Sequence, residues 1–514
     1  MPVELGASST AAGKANSRSA ELFVIIIAMV FFLGAFLRIN RYLQNRSLYI
    51  DEAMFALNIL ERTPVQLVGP LSYDQTSPVG FTLLVKLLTM AFGVSEPVLR
   101  LVPLLAGLAS LPLFYILAKT WLPKWASLLA VVLFAVSDEL GNYAAWFDKY
   151  SSDVTLTIII LLVGLWFYDS RRRTRYLVFG IVGVVAVWFS YPVSIVLAGI
   201  GLPLFFLALG RNSRKEALLV AVMAGCWLAS AAALWAVSVR AVLESPSRGA
   251  FWASSGGFLV FPPLTVAQVE KDIRILVRPF EEPLGFAFYG GVVLLYGLGA
   301  IDAVRTGGTR LFLVTPFLIT IALSALRLYP LYVRLILFLV PLLLLTVVMG
   351  IVRFSEELTS RTEKILAFGF LALTLYQPFR IGLARGLHPR ESEEIRPLII
   401  RQIESYRPGD VLALYYGAQP AYRYYAYHLG VNQGIPVDIN NHRGAPERYC
   451  EDVKPLVAHP RVWVLFSHSH GAEEKIIVDC LDRLGEQQSK LQETGASLYL
   501  YDLRAVSDGS APGD

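Results

Sequence analysis

Two adjacent acids, Asp51 and Glu52, follow the first strongly apolar segment of the chain, in the stretch Ser47-Leu48-Tyr49-Ile50-Asp51-Glu52-Ala53. A charged pair next to a bilayer is costly unless water or a protein cleft surrounds it. A carboxylate in such a cleft can accept the proton of an attacking hydroxyl group, which is general base catalysis. Asp51, with Glu52 beside it, is therefore the first candidate for a catalytic residue.

Further polar side chains suited to phosphate chemistry recur in three later segments. They are Lys86 within the apolar piece 78–92, then Asp148, Lys149, Tyr150 and Asp153, and finally Arg327 and Arg334. Lysine and arginine bind phosphate and stabilise it as a leaving group. Carboxylates combined with these cations suit group transfer from a lipid phosphate, with Asp153 as a further catalytic candidate and the others as phosphate or substrate contacts.

The elements that must position these residues are those of a membrane protein. The 514 residues are 55% hydrophobic and only 17% charged, and many apolar runs approach bilayer length. The net charge of +5 is small, and Lys and Arg cluster in short segments between the runs, so nucleic-acid binding is not indicated. We predict an α-helical polytopic membrane protein.

The basic cluster Arg171-Arg172-Arg173-Thr174-Arg175 sets the predicted orientation, because positively charged loops face the cytoplasm. Counting from it gives about eleven spans. They are 22–37, 98–118, 125–137, 154–168, 176–190, 193–209, 217–239, 284–302, 311–326, 335–352 and 365–377. This assigns 1–20 to a disordered cytoplasmic tail and 21–377 to the transmembrane module, whose outer loops include 38–97 and 240–283.

The piece 78–92 decides on which side Asp51 lies. It has about 15 residues with Lys86 in the middle, whereas a helical span needs ~20 residues. If it crossed the membrane, Asp51 and Glu52 would be cytoplasmic, and the first span would have the opposite orientation to the one counted from the basic cluster. We therefore predict an interfacial or half-inserted helix on the outer side, which leaves all the candidate residues at the outer face.

The composition changes at about residue 385, and we predict a small extracytoplasmic α/β domain at 385–505, followed by a disordered tail at 506–514. Short strand-like runs occur at 411–416, 462–466 and 498–501, and helical periodicity at 472–493. The 3 cysteines have no metal-type spacing. Cys450 and Cys480 could pair if this domain faces an oxidising compartment.

The order of several motifs resembles a known family. Tyr49-x-Asp51-Glu52 after the first span, a Pro-led helix from Pro78, then Phe92-Gly93-Val94-Ser95-Glu96 and Leu99-Arg100-Leu101 are similar to the GT-C glycosyltransferases that use polyprenyl- or dolichyl-phosphate sugars. Protein O-mannosyltransferases (the family 39 type) and the lipid A aminoarabinose transferases are the nearest in pattern. The resemblance covers about residues 20–350.

The resemblance implies roles for individual residues. The family's catalytic acid of the first outer loop corresponds to Asp51, with Glu52 its neighbour, and an acid after the second outer loop corresponds to Asp153. Where the aminoarabinose transferases have Glu-Lys-Pro, this chain has Thr76-Ser77-Pro78. Lys86, Lys149 and Arg334 are then the substitutes for the missing phosphate-binding lysine, with Arg327 a further candidate.

The resemblance also implies an inverting transfer on the outer face of the cytoplasmic membrane. The donor would be a polyprenyl-phosphate hexose or pentose, and the acceptor would be a protein, lipid or glycan. Membrane lipids would surround the protein. No cofactor is required on this reading; a divalent metal is possible but not indicated.

Simpler interpretations remain for each residue. Asp51 and Glu52 could be N-terminal acids of an interfacial helix, and Lys86 could extend to the interface. Asp148 and Lys149 could be a solvated pair, and the arginines could border the lipid headgroups.

Two other classes of protein compete with the enzyme. A transporter or lipid flippase would carry ionisable residues near span centres, and a non-catalytic component of a polysaccharide assembly system would work through its C-terminal domain.

Overall fold

The computed structural model describes residues 7–170, 172–240, 256–390, 392–431 and 433–503. Within these residues the chain forms two compact units. The helical unit comprises 1–44, 76–84 and 100–389, and the sheet unit comprises 45–75, 85–99 and 390–514. The predicted C-terminal tail at 506–514, residues 1–6 of the N-terminal tail and residues 241–255 of the predicted loop lie outside the described residues.

Apolar helices make up most of the chain, as the composition predicts. In order they are α1 (Ala7–Leu43), α2 (Ile50–Glu61), α3 (Val79–Phe92), α4 (Glu96–Ala118), α5 (Lys124–Val136), α6 (Asp138–Ala144), α7 (Tyr150–Asp169), α8 (Arg173–Val187), α9 (Val193–Gly210), α10 (Arg214–Leu234), α11 (Val266–Glu281), α12 (Tyr289–Thr306), α13 (Leu311–Ala325), α14 (Val340–Glu356) and α15 (Arg361–Leu387). Helix α1 begins inside the segment predicted to be disordered, where alanines favour helix.

Among the described residues, 8 helical segments are long and apolar enough to cross a membrane, or up to 9 if the bent pair α5 and α6 is one span. The sequence predicted about eleven, and each predicted span does fall on a helix. Helices α5 and α8 are too short, with 13 and 15 residues, and α12 carries Asp302 and Arg305. The chain is a multi-pass membrane protein. Helix α3 has 14 residues and is shorter than a span.

The core of the helical unit is formed by α14 and the 3-10 helix Val333–Leu339 that precedes it. Every residue from 336 to 351 is buried. Helix α12 approaches α14 closely, since a Cβ atom on Gly299 would clash with the backbone of Thr346. Small residues allow such close helix packing in membrane proteins. The 3-10 helix also packs against α7.

The sheet unit contains a mixed sheet of five strands. They are β1 (Val411–Tyr415), β2 (Val437–Ile439), β3 (Arg461–Ser467), β4 (Glu486–Glu493) and β5 (Ala496–Asp502), in the order β2-β1-β3-β5-β4. Strand β1 is parallel to β2 and β3, whereas β5 is antiparallel to β3 and β4. Around the sheet lie α16 (Ile395–Ser405), α17 (Gln419–His428), α18 (Tyr449–Val453) and α19 (Glu473–Leu481).

The runs predicted as strands at 411–416, 462–466 and 498–501 are strands β1, β3 and β5. The predicted helix 472–493 is correct only in its first half, because 486–493 forms strand β4. The residues of β4 are polar and favour a helix on their own, but pairing with β5 decides their conformation. The small α/β domain predicted after the last span is present.

A disulfide bond links Cys450 and Cys480 within the sheet unit. Their Cα atoms are 5.4 Å apart, which is the usual separation for a disulfide. The bond joins the short helix α18 to α19, whose apolar residues belong to the same core.

Candidate active site

Asp51 and Glu52 lie in the first turn of α2, but their surroundings differ. The backbone N–H of Tyr49 donates to Glu52 Oε2 at 3.1 Å, an arrangement that caps the start of a helix. The Glu52 carboxylate is completely buried and lies 3.6 Å from the Arg46 guanidinium. Asp51 is partly exposed. Glu52 thus holds the helix start, and Asp51 is the acid that can reach a substrate.

Acidic residues that follow the last helix of the helical unit hold the segment leading to Asp51. Glu394 Oε2 accepts hydrogen bonds from the Ser47 backbone N–H at 3.2 Å and from the Ser47 hydroxyl at 2.9 Å. Glu393 Oε2 accepts one from the Ile50 N–H at 3.2 Å. The Leu48 N–H donates to the Tyr425 hydroxyl at 2.8 Å. The backbone just before Asp51 is therefore fixed by residues more than three hundred positions away.

Arg396 and His468 extend this network. Arg396 donates to the backbone oxygen of Asn45 at 2.6 Å and pairs with Glu96 at 2.6 Å. His468 Nδ1 lies 2.5 Å from Glu393 Oε1, and its ring packs edge-on against Tyr49 with centroids 5.2 Å apart. His468, like Asn45, has a positive φ angle, and such strained backbones cluster at functional sites.

Lys86 lies at the other end of α2. Its ammonium group donates to the backbone oxygen of Ile59 at 2.6 Å, in the last turn of the helix. Eight residues separate Ile59 from Asp51, which is about 12 Å along a helix. Burial lowers the pKa of Lys86. The contact caps the helix C-terminus, and it does not bring Lys86 to Asp51.

A second group of predicted residues meets at the start of α7 in the helical unit. Lys149 pairs with Asp148 at 2.8 Å, and both side chains are largely buried. The Lys149 ammonium also lies over the Tyr150 ring, 4.7 Å from its centroid. Tyr150 is 5% exposed and packs edge-on against Tyr143. We call Asp148, Lys149, Tyr150 and Asp153 the α7 cluster.

Asp153 is the most deeply placed member of the α7 cluster. Its side chain is buried, and Oδ1 has no hydrogen-bond partner among the described residues. A buried acid in a membrane span is costly and is therefore a functional candidate. The adjacent hydroxyl of Tyr329 has a pKa well above its usual value, because it is buried and because the Asp153 charge is near.

The two predicted arginines have different environments. Arg334 is half-buried at the beginning of the 3-10 helix that packs against α7. The Tyr329 hydroxyl donates to the Leu335 oxygen at 2.6 Å, which holds the loop before that helix. Arg327 is exposed, with a φ of 58°. Of these two arginines, Arg334 is thus the more buried one in the helical unit.

No group of three or more His, Cys, Asp or Glu side chains suited to a metal ion occurs within the described part of the chain. The paired acids described above contact hydroxyl groups, amide groups or basic side chains.

Comparison with known proteins identifies the fold. No protein-family model matches the sequence, and no curated protein sequence matches it. The apo oligosaccharyltransferase of Archaeoglobus fulgidus superposes with a TM-score of 0.53 at 12% identity, over 93% of this chain and 74% of that one. ArnT from Cupriavidus metallidurans bound to undecaprenyl phosphate superposes with a TM-score of 0.50 at 13% identity, over 96% of this chain and 100% of that one. The chain has the GT-C fold.

The oligosaccharyltransferase AglB from Archaeoglobus fulgidus, in complex with an inhibitory peptide and a dolichol-phosphate, gives a TM-score of 0.52 at 12% identity, over 94% of this chain and 74% of that one. The fold expected from the motif order around Asp51 is therefore confirmed across nearly the whole length. At this level of identity the likeness extends to the fold, and residue roles must come from the local geometry.

Several residues of the Asp51 network could not be selected from the sequence. Glu393 and Glu394 lie in the short acidic run before α16, and Arg396 lies two residues later. Their only signal is the position of that acidic run, directly after the last span. His468 lies far from Tyr49 in the sequence, and the fold brings their two rings together.

Proposed function

We propose that this protein is an integral membrane glycosyltransferase that moves a sugar from a polyprenyl-phosphate donor to an acceptor. The observation that carries the proposal is the near full-length GT-C fold, shared with structures bound to dolichol-phosphate and to undecaprenyl phosphate. The donor here would be a hexose or pentose linked to such a lipid phosphate, and the acceptor a protein, lipid or glycan.

In the proposed reaction, Asp51 accepts the proton of the acceptor hydroxyl as its oxygen attacks the anomeric carbon of the donor. A new bond forms between that oxygen and the anomeric carbon, the bond to the phosphate oxygen breaks, and the lipid phosphate leaves with the electron pair. Attack opposite the leaving group inverts the anomeric centre. Glu52 acts as a positioning residue, because it caps the helix that presents Asp51.

Cations of the helical unit would bind the phosphate. Arg334 is the first choice, with Lys149 and Arg327 as further contacts, because a guanidinium can bind phosphate oxygens in a bidentate manner. Lys86 is the weakest candidate, since its ammonium caps α2. Asp153 would orient donor or acceptor hydroxyls. These cations would stabilise the leaving group, and the proposed mechanism requires no cofactor.

The site is proposed to face the outside of the cytoplasmic membrane, with the N-terminus in the cytoplasm. The arginine-rich loop before α8 favours this orientation. The disulfide between Cys450 and Cys480 supports it independently, because disulfides persist in oxidising compartments.

The positions of charged residues favour an enzyme over a transporter. In each candidate span of the described residues, the Asp, Glu, Lys and Arg residues lie in the first or last third. Examples are Arg38 and Arg41 near the end of α1 and Asp153 near the start of α7. A transport path needs ionisable groups near the middle of the bilayer.

The test uses the purified full-length protein in lipid nanodiscs. Undecaprenyl phosphate and dolichyl phosphate are titrated first, and polyprenyl-phosphate mannose, glucose, galactosamine and arabinose are then supplied with extracted envelope acceptors. We expect saturable binding of a lipid phosphate and release of polyprenyl phosphate from one of the donors, with or without EDTA. Absence of lipid-phosphate binding would contradict the proposal, and binding without any turnover would instead support the non-catalytic assembly component.

A further inference from the structure

A cavity of about 420 Å³ lies within the sheet unit, away from the first turn of α2. Its walls are the last turns of α2, one face of α17 and the segment leading into β2. Leu57 and Leu60 come from α2, and Tyr422 and Tyr427 come from α17. The volume is within the range of ligand-binding pockets.

The mouth of the cavity exposes large apolar side chains. Tyr427 is 70% exposed and Ile435 is 97% exposed. Both line the cavity. Exposed apolar groups gathered at a concave surface mark binding sites more often than single exposed residues do. Tyrosine offers a rigid apolar ring face with a polar tip, which suits a ligand that has both kinds of surface.

Charged side chains complete the lining. Arg423 and Asp438 form an ion pair at 3.6 Å, with about half of each side chain exposed. Glu61 is exposed on the α2 wall. One cation and two carboxylates give the cavity both hydrogen-bond donors and acceptors. They do not give the positive charge that an anionic ligand such as a phosphate would require.

These walls discriminate among ligand classes. A lipid tail would take the Arg423–Asp438 pair out of water without replacing its hydrogen bonds. A peptide added to the sheet would have only the three residues of β2, Val437–Ile439, to pair with. A sugar ring has apolar C–H faces that can stack on tyrosine and hydroxyl groups that can bond to Arg423, Asp438 and Glu61.

The geometry points to this cavity as a binding site for a neutral oligosaccharide, which serves as the acceptor subsite of the proposed transferase. The inference rests on the proposed function. Leu60 and Asp51 belong to the same helix, nine residues apart, which is about 14 Å along its axis. A glycan held between Tyr427 and Asp438 would have to span about this distance to place its end at the base, and the enzyme would then lengthen or decorate a glycan.

Equilibrium binding to the full-length protein in nanodiscs tests the site. The probes are neutral manno-, gluco-, galacto- and arabino-oligosaccharides of several ring numbers, the glycans released from the envelope of the source organism, and a serine- and threonine-rich peptide. We expect at least one glycan to bind. Tyr427→Ala and Asp438→Ala should each weaken that binding at least tenfold, whereas Tyr427→Trp, which keeps a ring face, should retain it.

Asp479→Ala is the matched control, since Asp479 is exposed on α19 and does not line the cavity. Asp51→Asn separates the inference from the proposed function: it should lose transfer and keep glycan binding. If no glycan binds the wild type, or if Tyr427→Ala leaves glycan binding unchanged, the inference is wrong, and transfer dependent on Asp51 would still stand. Binding of the peptide alone, reduced by Tyr427→Ala, would also overturn it.

Discussion

The Asp51 network and the α7 cluster hold their acids in opposite ways. The Asp51 segment is fixed mainly by hydrogen bonds and ion pairs from Glu393, Glu394 and Arg396, which are remote in sequence. Asp153 instead lies in a span among apolar and aromatic neighbours, with Lys149 and Tyr150 within one helical turn. One acid is positioned by polar contacts and the other by burial.

The difference suggests a division of work between the two units. A base must meet the acceptor hydroxyl in a defined geometry, which a network of directional hydrogen bonds provides. The proposed phosphate site would need cations held away from bulk water, and Lys149 and Arg334 lie on elements that pack at α7. Variants in the Asp51 network should therefore impair turnover, and variants near the α7 cluster should impair lipid-phosphate binding.

Among the variants that test this division between the units, the double variant Glu393→Gln, Glu394→Gln should have the largest effect. Each carboxylate supports the backbone before Asp51, and a hydrogen bond to a charged group contributes about 1.5 to 3 kcal/mol. We expect kcat to fall roughly 100-fold by that argument, with the Kd for undecaprenyl phosphate unchanged. Glu404→Gln, which alters an exposed acid of α16, is the control. Equal losses in kcat and in lipid-phosphate affinity would contradict the proposed division of turnover and phosphate binding between the two units.

Arg334→Ala tests the proposed phosphate-binding role of the helical unit. Loss of a charge-assisted contact to phosphate should weaken undecaprenyl phosphate binding about 10- to 100-fold, and Arg334→Lys should be intermediate. The matched control is Arg353→Ala, because Arg353 is exposed at the other end of the same span. An unchanged Kd for Arg334→Ala would remove Arg334 from the site.

Removing the disulfide should affect only the sheet unit. Cys450→Ser with Cys480→Ser opens a loop closed across 30 residues, and the free energy of unfolding of the sheet unit should fall by about 3 kcal/mol. Hydrogen exchange measured by mass spectrometry should show faster exchange in β1 and β3 and unchanged exchange in α14. Equal acceleration in both units would mean that they unfold as one.

The smallest effect is expected for Lys86→Met. The variant loses a bond to the Ile59 oxygen, so the unfolding free energy should fall by about 1 kcal/mol. Lipid-phosphate affinity should change less than about threefold, since the Lys86 ammonium is already bonded to the Ile59 oxygen. A drop as large as that of Arg334→Ala would return Lys86 to the phosphate site.

The sequence predicted the apolar helices, the short helix α3 and the strands β1, β3 and β5, because hydrophobic runs and β-branched segments are local signals. It did not predict β4, whose conformation depends on pairing with β5. It also missed α11, which lies in the predicted loop 240–283. The simpler interpretation of Glu52 as an N-terminal acid of a helix agrees with its bond to the Tyr49 N–H, but the contacts from Glu393, Glu394 and His468 depend on tertiary structure that no local pattern encodes.

The central claim is that the Asp51 carboxylate is the base for sugar transfer, and the rate of Asp51→Asn tests it most directly. With saturating polyprenyl-phosphate sugar, we expect kcat to fall about 10²- to 10⁴-fold while donor affinity is unchanged. Asp74→Asn, an exposed acid of the same unit, should keep wild-type activity. Full transfer by Asp51→Asn, in protein that binds donor normally, would contradict the account.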